Sequence, residues 1–207
     1  MGYEKTAKKV MDELGAILTK EPVETPRLRM RPFLPADLSD LYEYLSQTEQ
    51  RRLSGNCVVE TPEDARLVLD HILDPADPHC SLAIVLKSED KVIGNLSLGC
   101  YPFLENDPVL RDLRGVTLSY VLNERYWRRG YMSELLRAVY PVLFEKGDLA
   151  YIQSGYFDFN TASAALQRKL GMRLWNEAEF ELNGETIRTK EMILFREEFE
   201  QNVGFRS

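Results

Sequence analysis

The apolar residues of the chain follow a helical period at its start. Over residues 3–19 they fall on one face of a predicted helix, and the segment 20–26, rich in proline and charge, predicts a linker. We therefore expect residues 1–24 to form an extension that covers its own domain, the preferred interpretation, or a partner chain. The main domain is predicted over 25–199, with a tail at 200–207.

The rest of the pattern predicts strands and helices in the order β-α-α-β-β-β-α-β-α-β-β. The predicted strands are 27–33, 82–86, 92–98, 116–122, 151–157, 177–182 and 185–195, the last two joined by a turn at Asn183-Gly184. Helices are expected over 35–45, from Thr61, from Met132 with a kink near Pro141, and from Asn160 to Gly171. Consecutive strands pair antiparallel, whereas the later β-α-β unit indicates a parallel pair, so the sheet is predicted to be mixed.

Composition limits the class of protein. The chain has 207 residues, of which 44 % are apolar, enough for one packed domain with an appendage. A net charge of −7 argues against non-specific binding of nucleic acid. Three scattered cysteines and two histidines give neither a disulfide framework nor a metal site, and no apolar run reaches the ~18 residues of a membrane span. We expect a cytoplasmic protein without metal, nucleic-acid or membrane partners.

The strongest candidate for chemistry is the segment 126–134, between a predicted strand and a predicted helix. Gly130 allows a close backbone approach, and the N–H groups of the first helical turn have no intrahelical partner, so they can bind an anion. Arg128 and Arg129 add positive charge. The segment predicts a pyrophosphate site. No GxxxxGK[ST] motif is present, which excludes a P-loop NTPase, and no GxGxxG follows the first strand, which argues against a Rossmann domain.

Taken in order, several segments resemble the GNAT N-acetyltransferases, in particular the branch related to ribosomal-protein-alanine N-acetyltransferases. The similar segments are 25–32, 92–95, 120–122, 126–131, 160–163 and 169–172, and the likeness covers about residues 25–199. The resemblance implies the α/β (α+β) GNAT fold, a mixed, mostly antiparallel seven-stranded sheet with flanking helices and a splayed central strand pair. It implies transfer of an acetyl group from acetyl-CoA to a primary amine, a protein N-terminus or a small amine, by direct attack in a ternary complex.

The resemblance also implies the roles of individual residues. The residues expected to bind acetyl-CoA are Tyr120, Val121, Leu122, Arg128, Arg129, Gly130, Tyr131, Met132, Ser133 and Asn160. A backbone N–H near Leu122 would polarise the thioester carbonyl. Ser163 would lie near the sulfur and protonate the leaving thiolate or hold a water, although Asn160 and Ser163 also fit a helix cap.

The general base is the least determined residue, because several carboxylates fit. Glu181 is the first candidate, since the matching strand of this branch can carry a glutamate at the acceptor site, with Glu179 and Asp158 as alternatives. Each of them also fits a solvated surface charge. His71 is predicted to be partly buried in the core rather than catalytic.

The amine acceptor is left open by the sequence. Its specificity is expected to come from the loops 46–59 and 104–114. The protein is expected to be a monomer or a homodimer. A second class of function, a non-catalytic acyl-CoA-binding module, would carry the same anion-binding segment without a competent acid or base.

Overall fold

The computed structural model describes residues 2–20, 22–55, 58–77, 79–99, 107–182 and 185–201. Its helices are α1 Gly2–Lys20, α2 Leu38–Leu45, α3 Thr48–Ser54, α4 Pro62–Leu73, α5 Tyr131–Pro141, α6 Thr161–Lys169 and α7 Arg196–Gln201. Its strands are β1 Leu28–Pro32, β2 Cys80–Leu86, β3 Lys91–Gly99, β4 Gly115–Leu122, β5 Tyr151–Phe157, β6 Arg173–Leu182 and β7 Glu185–Phe195. The predicted turn at Asn183-Gly184 lies outside the described residues.

The strands form one seven-stranded sheet in the order β1-β2-β3-β4-β5-β7-β6. Every neighbouring pair is antiparallel except β4 and β5, which are parallel, so the predicted mixed sheet is confirmed. The parallel pair joins only 115–117 to 151–153, after which the two strands separate. The predicted splay of the central strands is therefore confirmed as well.

The sheet is covered on both faces. On one face α1 and α5 cover the larger core, in which Leu14, Leu118 and Leu136 are fully buried. On the other face α2 and α4 cover a smaller core around Tyr44 and Val85. Helix α1 buries its predicted apolar face in the larger core, which confirms the interpretation that it packs on its own domain.

Two details differ from the predicted elements, and one agrees with the irregularity expected near Pro141. Helices α3 and α7 were not predicted, because α3 is polar and buries mainly Gln50, and α7 is only six residues long. Helix α5 continues after Pro141, which lacks the N–H for an i→i−4 hydrogen bond, as a π-helical turn, Val142–Lys146. The prediction for His71 is wrong: its side chain is 69 % exposed and lies 3.3 Å from Asp77.

Candidate active site

A cleft of about 1130 Å³ opens where β4 and β5 separate. Its walls come from both strands, from the segment after β4 and from α3, α6 and β7. The predicted site residues that line it are Tyr120, Val121, Leu122, Arg128, Gly130, Tyr131, Met132, Ser133, Asn160 and Ser163. Arg129 and Glu181 are not among the lining residues. The fold thus brings together ten of the twelve residues that the sequence singled out.

The end of β4 turns backbone groups toward the cleft. The N–H of Asn123 donates to Ile93 on β3 at 2.8 Å, so the backbone groups of Leu122, one residue earlier, point away from β3 and into the fork. The Trp127 indole donates to the Leu122 carbonyl at 2.7 Å. Trp127 therefore fixes the end of β4, and the Leu122 N–H is directed at the cleft.

The segment after β4 presents the start of α5 to the same cleft. Gly130 is the N-cap of α5 with φ of 81°, a left-handed conformation that glycine adopts without strain. Apart from its chain neighbours, a Cβ added at Gly130 would come within 4 Å of one group in the described residues, the Arg27 guanidinium, at 3.5 Å. The first-turn N–H groups of Tyr131, Met132 and Ser133 have no acceptor within the helix, so this end of α5 can bind an anion.

Arg27, directly before β1, links this segment to the sheet. Its Nε contacts Glu134 at 2.6 Å, its Nη1 donates to the Arg129 carbonyl at 3.0 Å, and its guanidinium lies 4.3 Å from the centre of the Tyr131 ring. The Thr25 hydroxyl also donates to Glu134, at 2.5 Å. Although burial raises the pKa of Glu134, these hydrogen bonds outweigh it, and the net pKa lies below the ordinary value. Glu134 is thus held as a carboxylate.

A second polar group lies on the opposite wall. The Tyr120 and Ser163 hydroxyls are 2.9 Å apart, and the Gln167 amide donates to Ser163 at 3.0 Å and to Tyr120 at 3.3 Å. Burial raises the pKa of Tyr120, against the smaller opposite effect of these hydrogen bonds. The tyrosine therefore stays protonated, and the Gln167 amide holds the two hydroxyls together as a connected pair that can donate protons.

Asn160 has two partners inside the protein. Its side-chain oxygen accepts from the Ser163 N–H at 3.0 Å and caps α6, and its amide donates to the Leu53 carbonyl at 3.0 Å. The second bond ties α6 to α3 across the cleft. The cap uses the backbone N–H of Ser163, so it does not compete with the contacts of the Ser163 hydroxyl to Tyr120 and Gln167.

The three carboxylates proposed from sequence lie at the margin of the site. Glu181 is exposed and accepts from the Thr186 hydroxyl at 2.6 Å. Glu179 lines the cleft but is paired with Arg188 at 2.6 Å and is 55 % exposed. Asp158 is exposed in the turn after β5, outside the cleft lining.

Sequence reasoning missed one carboxylate, Glu191 on β7. It lines the cleft, is 9 % exposed, and accepts from the Gln153 amide at 3.4 Å. Gln153 in turn accepts from the Thr117 hydroxyl at 3.1 Å. The available signal was a carboxylate directly before the apolar run 192–195 of a predicted strand. A charged residue at such a position is unusual unless it has a polar role.

The described residues contain neither a metal-binding cluster nor a membrane-spanning helix. Within the described ranges, no group of three histidine, cysteine, aspartate or glutamate side chains is placed to hold a metal ion. None of the helices in that part of the chain combines the length and apolarity needed to span a membrane. A function for this site has to account for three features: the cleft, the start of α5 and the hydroxyl groups at α6.

Comparison with known proteins connects this geometry to a family. The sequence model described as Acetyltransferase (GNAT) domain matches residues 27–173. No curated protein matches the chain in sequence.

Solved structures share the fold at low sequence identity. An acetyltransferase of the GNAT family from Bacillus anthracis is 21 % identical, with a TM-score of 0.71 over 85 % of this chain and 99 % of that one. A GCN5-related N-acetyltransferase from Brucella melitensis is 16 % identical, with a TM-score of 0.73 over 87 % and 80 %. A ribosomal-protein-S5-alanine acetyltransferase from Vibrio fischeri is 18 % identical, with a TM-score of 0.67 over 86 % and 98 %. At these identities the likeness concerns the fold.

Proposed function

This chain belongs to the GNAT acetyltransferase family and is an acyl-CoA-dependent acetyltransferase, and from that premise we propose that it acetylates the free α-amino group of a protein or peptide. The observation that carries the proposal is the fork between β4 and β5, with an anion-binding helix start on one wall and hydroxyl donors on the other. The non-catalytic alternative is not favoured, because the matching family is one of acetyltransferases.

The donor side of the cleft fits an acyl-CoA. We assign the pyrophosphate to the start of α5, where the N–H groups of residues 131–133 and the open space at Gly130 suit phosphate oxygens. Arg128 lines the cleft there and adds positive charge. Between the splayed strands, the backbone groups of Tyr120 can pair with the amides of the pantetheine arm.

The chain's residues then act on the two ends of the reaction. Acetyl-CoA supplies a thioester whose carbonyl carbon accepts an amine and whose sulfur leaves. The Leu122 N–H, directed into the fork, stabilises charge that develops on the carbonyl oxygen. The Ser163 hydroxyl, hydrogen-bonded to Tyr120, donates a proton to the departing sulfur. Binding both reactants in one cleft supplies much of the acceleration.

The acceptor class rests on two observations. Gln50 and Ser54 of α3 line the opening between β4 and β5, so polar side chains are placed there that suit a chain terminus. A structure with the same fold is named a ribosomal-protein-S5-alanine acetyltransferase. A small amine would enter the same opening, and the acceptor panel below separates the two.

The test is turnover with a panel of acceptors. The protein and acetyl-CoA are incubated with a library of short peptides bearing free N-termini, with the same peptides blocked at the N-terminus, and with small polyamines and aminoglycosides. We expect mass spectrometry to find one added acetyl group on free N-termini and none on blocked ones. Acetylation of the small amines alone would overturn the peptide assignment, and tight acetyl-CoA binding without any turnover would overturn the enzymatic one.

Arg27→Ala is expected to weaken acetyl-CoA binding indirectly, because it loosens the segment to which the pyrophosphate is assigned. Loss of the contacts to Glu134, Arg129 and the Tyr131 ring should weaken acetyl-CoA binding about tenfold, or about 1.4 kcal/mol, in calorimetry. Arg29→Ala is the matched control, because Arg29 lies two residues further along the chain, on β1, but pairs with Asp90, which is 84 % exposed. Equal affinities of the two variants would contradict the role of Arg27.

Replacement of Ser163 by alanine is expected to lower kcat about 10- to 100-fold, because the leaving sulfur loses its proton donor. The cap of α6 survives, since it uses the Ser163 backbone N–H, so Tm and the affinity for acetyl-CoA should stay within error. Tyr120→Phe keeps the ring but removes the hydroxyl 2.9 Å from Ser163, and should cause a smaller loss. An unchanged kcat in Ser163→Ala would exclude the acid role.

A further inference from the structure

Three carboxylates line the cleft, and only one of them lacks a cationic partner among the described residues. Glu49 pairs with Arg52 at 2.7 Å, and Glu179 pairs with Arg188 at 2.6 Å. The hydrogen bond from Arg52 also lowers the pKa of Glu49. Glu191 is 9 % exposed and has amide partners instead of an ion pair. Since no cation in the described ranges neutralises this carboxylate, it can accept a proton from a bound amine.

The strand register places Glu191 beside the fork. The last pair between β4 and β5 is Thr117 with Gln153, and Glu191 pairs with Gly155, two residues further along β5. Paired residues of antiparallel strands direct their side chains to the same face. Because Gly155 has no side chain, β5 places none between Glu191 and the fork at this position. A Cβ at Gly155 would contact only the Lys190 carbonyl, at 3.7 Å, so the space is open.

We propose that Glu191 is the general base of the transfer, which binds the acceptor ammonium and removes its proton before attack; this inference rests on the proposed function. The proton passes from the amine nitrogen to the Glu191 carboxylate. The free amine then forms the C–N bond while the C–S bond breaks. The departing sulfur takes the proton of the Ser163 hydroxyl, and the second proton of the attacking nitrogen restores that hydroxyl, so that a neutral amide, a free thiol and a protonated Glu191, which later loses its proton to solvent, are left. The Thr117–Gln153 chain holds the Glu191 carboxylate in position.

The surroundings of Glu191 tune it for this task. Burial raises the pKa of Glu191, a hydrogen bond with Asn176 acts in the opposite direction, and the negative charge of Asp107 raises the pKa further. Lys190, the adjacent residue, is directed to the opposite face, where it pairs with Glu177 at 2.6 Å. The raised pKa makes Glu191 a stronger base than an ordinary glutamate, whose pKa is about 4.3.

Glu191→Gln tests the proposal. With an N-terminally free peptide as acceptor, we expect kcat/KM to fall about 100-fold and the acidic limb of the pH–rate profile to disappear. Acetyl-CoA affinity should be unchanged. Glu177→Gln is the matched control, since Glu177 lies on the neighbouring strand, outside the cleft lining. Retained turnover in Glu191→Gln, or an equal loss in the rival variant Glu181→Gln with Glu191 intact, would overturn the proposal.

The folding of the variant is not at risk. The folded-state pKa of Glu191 lies above the unfolded value, so its contribution to stability is present at low pH and is lost as the pH rises through the folded-state pKa. Glu191→Gln removes this effect and should be at least as stable as the parent protein at pH 7. Thermal unfolding measures it directly.

A second readout is independent of turnover. Carbon-13 NMR of labelled glutamate carboxyl groups, assigned by the signal missing in Glu191→Gln, should give a Glu191 pKa above the ordinary range and a shift when n-butylamine is added with CoA. If the parent protein acetylates no peptide, the acceptor class fails, while this titration still decides the role of Glu191. An ordinary pKa with no response to the amine would refute that role.

Discussion

Gly130→Asp is expected to weaken acetyl-CoA binding by about 100-fold, which corresponds to about 2.7 kcal/mol. Gly130 is the N-cap of α5, and its absent side chain leaves space at the helix start, where only the Arg27 guanidinium lies within 4 Å. A carboxylate in this space would oppose a phosphate group at the same N–H groups. Calorimetry with acetyl-CoA measures the loss of affinity.

Gly130→Asn is the control that isolates the charge. Both variants place a side chain of the same size at φ of 81°, a conformation that asparagine and aspartate tolerate better than most residues. The strain of about 1–2 kcal/mol is therefore common to both, and their Tm values should agree. Gly130→Asn should lose only a few-fold in affinity. If the two variants bind acetyl-CoA equally well, the phosphates do not lie at the start of α5.

Leu14→Ala is expected to reduce the free energy of unfolding by about 2–5 kcal/mol, because it opens a cavity in the larger core. Leu14 of α1 is fully buried and belongs to the same core as β4 and α5. The packing is close: a Cβ added at Gly147 would lie 2.6 Å from Leu14 Cδ2. For a chain of this size the change corresponds to a fall in Tm of roughly 5–15 °C.

Denaturant unfolding of Leu14→Ala also tests how α1 belongs to the domain. If residues 1–24 were an extension that unfolds by itself, fluorescence and far-UV circular dichroism would report separate transitions, and the main transition would not move. The packing of α1 leads us to expect one shared transition at lower denaturant. Thr19→Ala, at an exposed position of the same helix, should change stability by no more than about 0.5 kcal/mol.

Most of the fold could be predicted from local sequence patterns, and the errors of that prediction have local causes. All seven strands were placed, because apolar alternation and turn residues are encoded within a few positions of one another. Helix α3 was missed, since its sequence is polar and its stability comes from contacts with β4, β5 and α6 rather than from an apolar face. Its absence from the prediction left the wall of the cleft over β5 unrecognised.

The general base shows why the site could not be completed from sequence. Glu179 and Glu181 lie two residues apart on one strand and so share a face, and neither they nor Asp158 could be tied to the acceptor by sequence, although Glu181 was the first candidate. Only the pairing of Gly155 with Glu191 shows which carboxylate is beside the fork. Such a register depends on contacts between distant segments, and one chain without its fold does not specify them.

The sequence by itself determined the anion-binding segment. The glycine, the flanking arginines and the start of α5 are neighbours in the chain, and their chemistry depends on local backbone geometry. Only the tertiary structure decided which distant side chains surround the cleft. Arg27 contacts that segment, and Tyr120, Ser163 and Glu191, from three separate elements, line the cleft where β4 and β5 separate. The proposed donor site could therefore be predicted from one stretch of residues, whereas the groups to which we assign proton transfer are brought together only by folding.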